Sequence, residues 1–227
     1  MSARARQLGL DLPIEPSFGR DDFLVSPSNT AAYSRFESWP DWPDRVLLLL
    51  GPTGAGKSHL AAIWAAEAGA TIVSARDLSL DALPGLAAAP ALVVEDADRI
   101  GPREAELFHL LNLVRSGEGP WLVLTARAWP DAWGLATRDL LSRLRLAPAV
   151  EIGEPDDALI RAVLVKLFHD RQLAVDTSVI DYVALRIDRS LGAARAIVEL
   201  LDREALARGR GVTRPIAAEV LRNLEGS

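Results

Sequence analysis

The sequence predicts an α/β protein, in which a parallel-sheet domain carrying a phosphate-binding loop is followed by a small all-helical domain. Three observations predict it. The stretch Gly51-Pro52-Thr53-Gly54-Ala55-Gly56-Lys57-Ser58 directly follows the apolar run Val46-Leu50 and leads into helical sequence. Short apolar runs then alternate with helical segments as far as Ile152, the pattern of strands joined by helical crossovers. From Glu154 onward strand signals vanish and only amphipathic helical spacing remains.

Taken in order, the first fifteen or so residues read as an arm (1–15), and residues 16–153 as the α/β domain. Phe23 to Phe36 reads as a polar segment, and Trp39 and Trp42 in the Ser38–Pro43 turn are expected to pin the approach to the first strand onto the domain. After Val46-Leu50 and the loop, a helix is expected from Ser58 to about Glu67. Strands follow at Thr71-Val73, Ala91-Val94, Trp121-Leu124 and Ala149-Ile152, with a helix over 103–115 whose Leu107, Leu110, Leu111 and Val114 share one face. In the helical part, 154–227, the spacing predicts a helix over 156–171 with Leu159, Val163, Leu167 and Phe168 inward. A second is capped by Asp176 or Thr177, with Ile180, Val183 and Ile187 inward. A third runs from Ser190 through Arg208, and a fourth opens at Thr213-Pro215.

Composition narrows the function classes. Of 227 residues 49% are hydrophobic, enough for a substantial core, and a net charge of −6 disfavours a protein whose main task is gripping nucleic-acid phosphates. There is no cysteine, so disulfides and thiolate metal sites are excluded. No apolar run suits a bilayer span and no signal core follows Met1-Ser2-Ala3-Arg4-Ala5-Arg6, so a cytoplasmic protein without membrane association is expected.

The chemistry concentrates at strand ends. Gly51, Gly54 and Gly56 let successive amides, from Pro52 and Thr53 through Ala55, turn toward phosphate oxygens at a helix N-terminus. Lys57 is placed for the β- and γ-phosphates of a nucleotide and Ser58 for Mg²⁺. The strand Ala91-Val94 ends in Glu95-Asp96, an acid pair that needs compensation by a cation: Glu95 on the metal or its waters, Asp96 placed to orient an attacking water. The usual order is Asp first, so Glu95 before Asp96 is expected to blunt hydrolysis while leaving binding intact. Thr125 ends a further strand, where a hydroxyl can sense the γ-phosphate. His59 follows Ser58 and is a candidate nucleotide contact; His109 and His169 read as ordinary helix residues. Arg20, Arg35, Arg45, Arg203, Arg208 and Arg210 read as solvated surface charge.

This set, with Arg143 in Asp139-Leu140-Leu141-Ser142-Arg143-Leu144 and Arg195 in Gly192-Ala193-Ala194-Arg195, resembles an AAA+ ATPase. Within that superfamily the chain resembles, over roughly residues 7 to 225, the DnaA-type initiators and their shorter relatives of the Hda family. Phe23-Leu24-Val25-Ser26-Pro27-Ser28-Asn29 resembles the adenine-pocket segment of that group. Arg143 falls in the stretch that carries its arginine finger, and Arg195 at its lid-domain sensor arginine. Gln7-Leu8-Gly9-Leu10-Asp11-Leu12 resembles the peptide with which Hda and other replication proteins dock on the bacterial sliding clamp, alternating leucines entering apolar pockets while Gln7 hydrogen-bonds. The chain stops after the fourth lid helix, where an initiator continues into a DNA-binding domain.

The resemblance therefore implies a negative regulator of chromosome replication initiation. Such a protein binds ADP or ATP with Mg²⁺, meets DNA mainly through the clamp, and offers Arg143 in trans to the ATP of the DnaA initiator. An autonomous ATPase using Asp96, or an initiator-like accessory factor acting on DNA, are the alternatives. The resting nucleotide, and whether the chain forms a homo-oligomer, stay open.

Overall fold

The computed structural model describes residues 19–117 and 119–225. Gln7, Leu8, Leu10 and Leu12 of the expected clamp peptide lie outside the described residues. Five strands, β1 (Val46–Leu50), β2 (Ala70–Ser74), β3 (Ala91–Glu95), β4 (Trp121–Ala126) and β5 (Ala149–Glu151), form one sheet in the order β2-β3-β4-β1-β5. All four pairings are parallel, so each crossover must run over a face of the sheet, as parallel strands require.

The central strands are apolar throughout because both of their faces are covered. Alternate residues go to opposite sides, as the strand period of two dictates. Val46, Leu48 and Leu50 of β1, with Leu92, Val94, Leu122 and Leu124, join one core with α3 (Leu83–Ala87), α4 (Glu104–Arg115) and α5 (Arg138–Arg145). Leu47 and Leu49, with Val93 and Val123, join the other with α1 (Thr30–Glu37) and α2 (Lys57–Ala68).

The second core holds an aromatic group. Trp42 stacks on Trp64 with centroids 5.3 Å apart, and Trp39 meets Trp64 and Trp121 edge-on at 6.1 and 6.3 Å. Trp42 is further fixed by its indole N–H, which donates to the Arg35 carbonyl at 2.7 Å. The segment before β1 is thereby fastened to the sheet.

Two helices differ from the sequence reading. The supposed polar segment contains α1, whose buried stripe is only Ala32 and Phe36, too short to register as a period. The stretch around Arg143 is α5, with only Leu140 and Leu144 buried.

Four helices follow the sheet: α6 (Asp157–Asp170), α7 (Thr177–Ala184), α8 (Leu191–Arg208) and α9 (Arg214–Glu225). They enclose a separate core that includes Ile160, Leu164, Phe168, Val183, Val198 and Leu201. Their starts are capped by side chains that accept otherwise orphaned amides: Asp156 from Leu159 N–H at 2.7 Å, Asp176 from Ser178 N–H at 2.8 Å, and Ser190 from Ala193 N–H at 3.3 Å. Asp176, not Thr177, is thus the second cap, and Ile187 lies beyond α7. The inward face of α6 is also rotated from the expected one: Ile160 and Leu164 are buried, whereas Val163 and Leu167 are half-exposed and line a cavity. Among the described residues no helix is long and apolar enough to cross a membrane.

Candidate nucleotide-binding site

The loop after β1 is clamped from two sides. Gly51 N–H donates to the Ala126 carbonyl at 3.1 Å, and Leu191 N–H, at the start of α8, donates to the Gly54 carbonyl at 2.9 Å. These approaches leave no room for side chains. A Cβ on Gly54 (φ 76°) would fall 2.0 Å from Ser190 Oγ, and one on Gly51 would fall 2.4 Å from the Ile152 carbonyl oxygen. Gly56 at φ 107° then turns the chain into α2, whose first amides have no carbonyl one turn back to bind.

Lys57 is 8% exposed, and its Nζ donates to the carbonyls of Gly51 at 2.7 Å and Pro52 at 2.9 Å. Burial pulls its proton affinity below that of an ordinary lysine, against the attraction of Asp96, Asp98 and Glu95. A buried ammonium curled over its own loop is a cation held for an anion.

Ser58 Oγ donates to Glu95 Oε2 at 3.0 Å. Burial, joined by the Asp96 charge, raises Glu95 above the usual carboxylate range, while the Ser58 hydrogen bond and Lys57 oppose the shift. Asp96 follows in the left-handed region, at φ 53° and ψ 44°, an unusual conformation for a non-glycine residue. Its N–H donates to Thr125 Oγ1 at 3.1 Å, and its carboxylate lies 3.6 Å from Arg99. Thr125 is 1% exposed and sits within β4 rather than at its tip. Its side chain therefore holds the Asp96 turn.

A cavity of about 300 Å³ opens beside the loop, between the 22–29 segment and helices α6 and α8. Phe23, Asn29, His59, Val163, Leu191 and Arg195 are among the residues lining it. Phe23 stacks on Tyr33 at 5.6 Å and meets His59 edge-on at 5.3 Å. Asn29 is buried and shapes the segment from within, its Oδ1 accepting Ser26 N–H at 2.8 Å and its Nδ2 donating to the Leu24 carbonyl at 3.0 Å. His59 Nε2 lies 3.2 Å from the Gly19 carbonyl, and burial lowers its pKa, with Arg195 adding in the same direction. Lys166 of α6 pairs with Asp22 at 2.7 Å, closing one wall.

Of the sequence-predicted residues, the structure gathers Gly51 to Ser58, Glu95, Asp96 and Thr125 around one loop, and Phe23, Asn29, His59 and Arg195 around the adjoining cavity. Arg143 stands apart. Its guanidinium lies over the Phe108 ring at 4.9 Å, and its carbonyl accepts from Arg115 at 2.9 Å. Sequence reasoning missed Asp98, Arg127, Ser190 and Leu191, which reach the site only through the fold. The donor set suits Mg²⁺: among the described residues no cluster of three or more His, Cys, Asp or Glu could cage a metal, and a hydroxyl beside one carboxylate is what an ion keeping phosphate and water ligands needs.

No protein-family model matches the chain, and no curated protein matches it by sequence. Solved structures do match. Domain III of the Thermotoga maritima replication initiation protein DnaA superposes with a TM-score of 0.79 at 17% identity, covering 93% of this chain and 98% of that one. The fold is that of an AAA+ domain. DnaA from Aquifex aeolicus, in its AMPPCP-bound structure, matches with a TM-score of 0.70 at 20% identity, covering 85% of this chain and 67% of that one. The Thermotoga maritima RuvB Holliday junction branch migration motor matches at 0.67 and 16%, covering 87% and 67%. At these identities the shared property is the fold, an AAA+ parallel sheet followed by helices.

Proposed function

We propose that this chain is an adenine-nucleotide-binding AAA+ regulator of DNA replication initiation, of the Hda type. On this reading residues 1–15 dock on the sliding clamp, 16–153 bind nucleotide, and 154–227 form the lid. The observation that carries the proposal is the separation of Arg143 from the chain's own phosphate loop. The loop has its own lysine and acid pair, while Arg143 rides on α5, supported by the Phe108 ring. A cation so placed serves a neighbour's nucleotide better than its own, as an arginine finger does in trans. The fold likeness to DnaA supports a partner built in the same way, and the AMPPCP bound to the Aquifex protein supports an adenine nucleotide.

The cavity fits this role: Phe23 and Val163 offer apolar walls for a base, and Arg195 a cation near the phosphates. Lys57, already desolvated, exchanges two carbonyls for phosphate oxygens. Ser58 and Glu95 would hold Mg²⁺, which when bound neutralises phosphate charge. The Thr125-held turn keeps Asp96 in one conformation, and the Glu-before-Asp order favours holding nucleotide over hydrolysing it.

The test measures ATP hydrolysis by DnaA, with DNA-loaded clamp, in the presence of this chain or its Arg143→Ala variant. Acceleration by the wild type and its loss in the variant support the reading. Equal acceleration by both, or substantial turnover by this chain alone, overturns it in favour of an autonomous ATPase.

A further inference from the structure

We propose that Arg127 reads the terminal phosphate of a bound nucleoside triphosphate, positioned for it by Asp98, so that this pair sets the preference between triphosphate and diphosphate. The inference rests on the nucleotide-binding reading of the loop and extends it to a residue pair that no motif marks.

Arg127 follows Ala126, the last residue of β4, whose carbonyl accepts the Gly51 amide at 3.1 Å. Its backbone therefore stands at the rim of the loop, next to the two carbonyls that hold Lys57. The Arg127 Nε donates to Asp98 Oδ2 at 2.6 Å. This leaves the two Nη groups with no hydrogen bond among the described residues, a planar fork anchored along one edge only. The side chain is 40% exposed, whereas that of Asp98 is 7% exposed. Asp98 Oδ1 is buried without any hydrogen-bond partner, so its charge is compensated chiefly through the other oxygen, by Arg127. The carboxylate thus fixes the arginine, and the arginine keeps donors to spare.

Charge arithmetic gives the pair its task. β4 lies between β1 and β3, so its end faces both the phosphate loop and the acids after β3. Glu95, Asp96 and Asp98 all bring negative charge to that side, and Lys57 is influenced by all three as well as by Arg127. A diphosphate is served by the loop amides and Lys57. The extra phosphate of a triphosphate extends toward acids that repel it and needs a further cation there. Arg99 is committed to Asp96 at 3.6 Å, which leaves Arg127 with the free bidentate fork that phosphate oxygens favour.

Calorimetry on the full chain with Mg²⁺, using ADP and AMPPCP as ligands, tests the proposal. Arg127→Ala should weaken AMPPCP by about tenfold or more with ADP within about twofold, since one charged fork to phosphate is lost. Arg127→Lys should recover part of the difference. Asp98→Asn should shift AMPPCP in the same direction as Arg127→Ala, with ADP again unchanged, because the anchor and not the cation is weakened. Equal weakening of both ligands, or no change in either, overturns the proposal and makes the pair a structural tie of the turn. Failure of the wild type to bind either ligand is a different result, which overturns the nucleotide reading and this inference with it.

Discussion

Ser58 Oγ and Glu95 Oε2 meet across 3.0 Å, joining the end of the phosphate loop to the end of β3 although β4 lies between their strands. The contact spans the gap that the sheet order opens at its C-terminal edge, where loop, acids and β4 converge. Ligands of open α/β sheets bind at that edge. Glu95 keeps a raised pKa there because burial disfavours its charge.

Glu95→Gln should preserve the hydrogen bond from Ser58 while removing the charge. Nucleotide affinity without Mg²⁺ should hold or rise, and the gain on adding Mg²⁺ should fall by about tenfold, as expected for losing one carboxylate near the ion. The variant should also flatten part of the pH dependence of stability. A carboxyl whose folded pKa is raised binds protons more readily when folded, so its contribution to stability falls as pH climbs from its ordinary 4.5 through the raised value. Calorimetric titrations and melting curves against pH check both statements.

Lys57→Ala should weaken ADP and ATP by about a hundredfold or more, roughly 2.7 kcal/mol, because the buried cation of the loop is gone. Nucleotide should then no longer raise the melting temperature. The nucleotide-free protein should melt at the wild-type temperature or slightly above it, since a desolvated ammonium has been removed. Unchanged affinity would falsify the phosphate-loop reading.

Arg143→Ala should leave nucleotide binding and clamp binding intact yet lower stimulation of DnaA hydrolysis by about a hundredfold or more, within the range known for arginine fingers. Asp96→Asn should matter much less in the same assay. The neighbouring arginines are not equivalent: Arg145 is tied to Asp131, whereas the Arg138 side chain forms no ion pair among the described residues. Arg138 is therefore the one to replace together with Arg143 if the single variant is mild.

Replacing Gln7, Leu8 and Leu10 by Ala should abolish capture on the sliding clamp while nucleotide affinity stays within about twofold, since apolar anchors dominate such peptide contacts. A pull-down in which the triple variant still binds clamp would eliminate this peptide as the docking element.

His59 should make stability fall on mild acidification. Burial holds its folded pKa below the ordinary 6.5, so the unfolded chain takes up the proton first and gains on the folded state as pH drops through 6.5 toward the lowered value. Replacing His59 by Gln should flatten the melting temperature between about pH 7 and pH 5, the range in which such a histidine titrates. An unchanged profile would show that other groups dominate that window.

Much of the fold was legible because its signals are local. Five buried residues in β1, a glycine-spaced loop and an immediate helix are consecutive in the chain and define one another. β3 and β4 are equally plain, since strands covered on both faces must be apolar throughout. The short helices α1 and α5 were not legible, because two buried residues four apart do not establish a period. Val163 and Leu167 misled for the opposite reason. Apolar spacing marks a covered face but cannot say whether core or cavity covers it, and in α6 the stripe is shared between the two.

By itself, then, the sequence determined the α/β class with its helical tail, the phosphate loop, the acid pair after β3, and the caps Asp156 and Ser190. All of these are set by neighbours within a turn or a strand length. Only the tertiary structure decided the strand order, which seats β4 between the loop strand and the acid strand and so turns Thr125 toward the Asp96 amide. It likewise decided the seating of α8 against Gly54, the cavity beside His59, and the pairing of Arg127 with Asp98 across 29 positions of chain. Those contacts join residues far apart in sequence, and their partners are chosen by how the crossovers stack helices on the sheet, which no local pattern encodes.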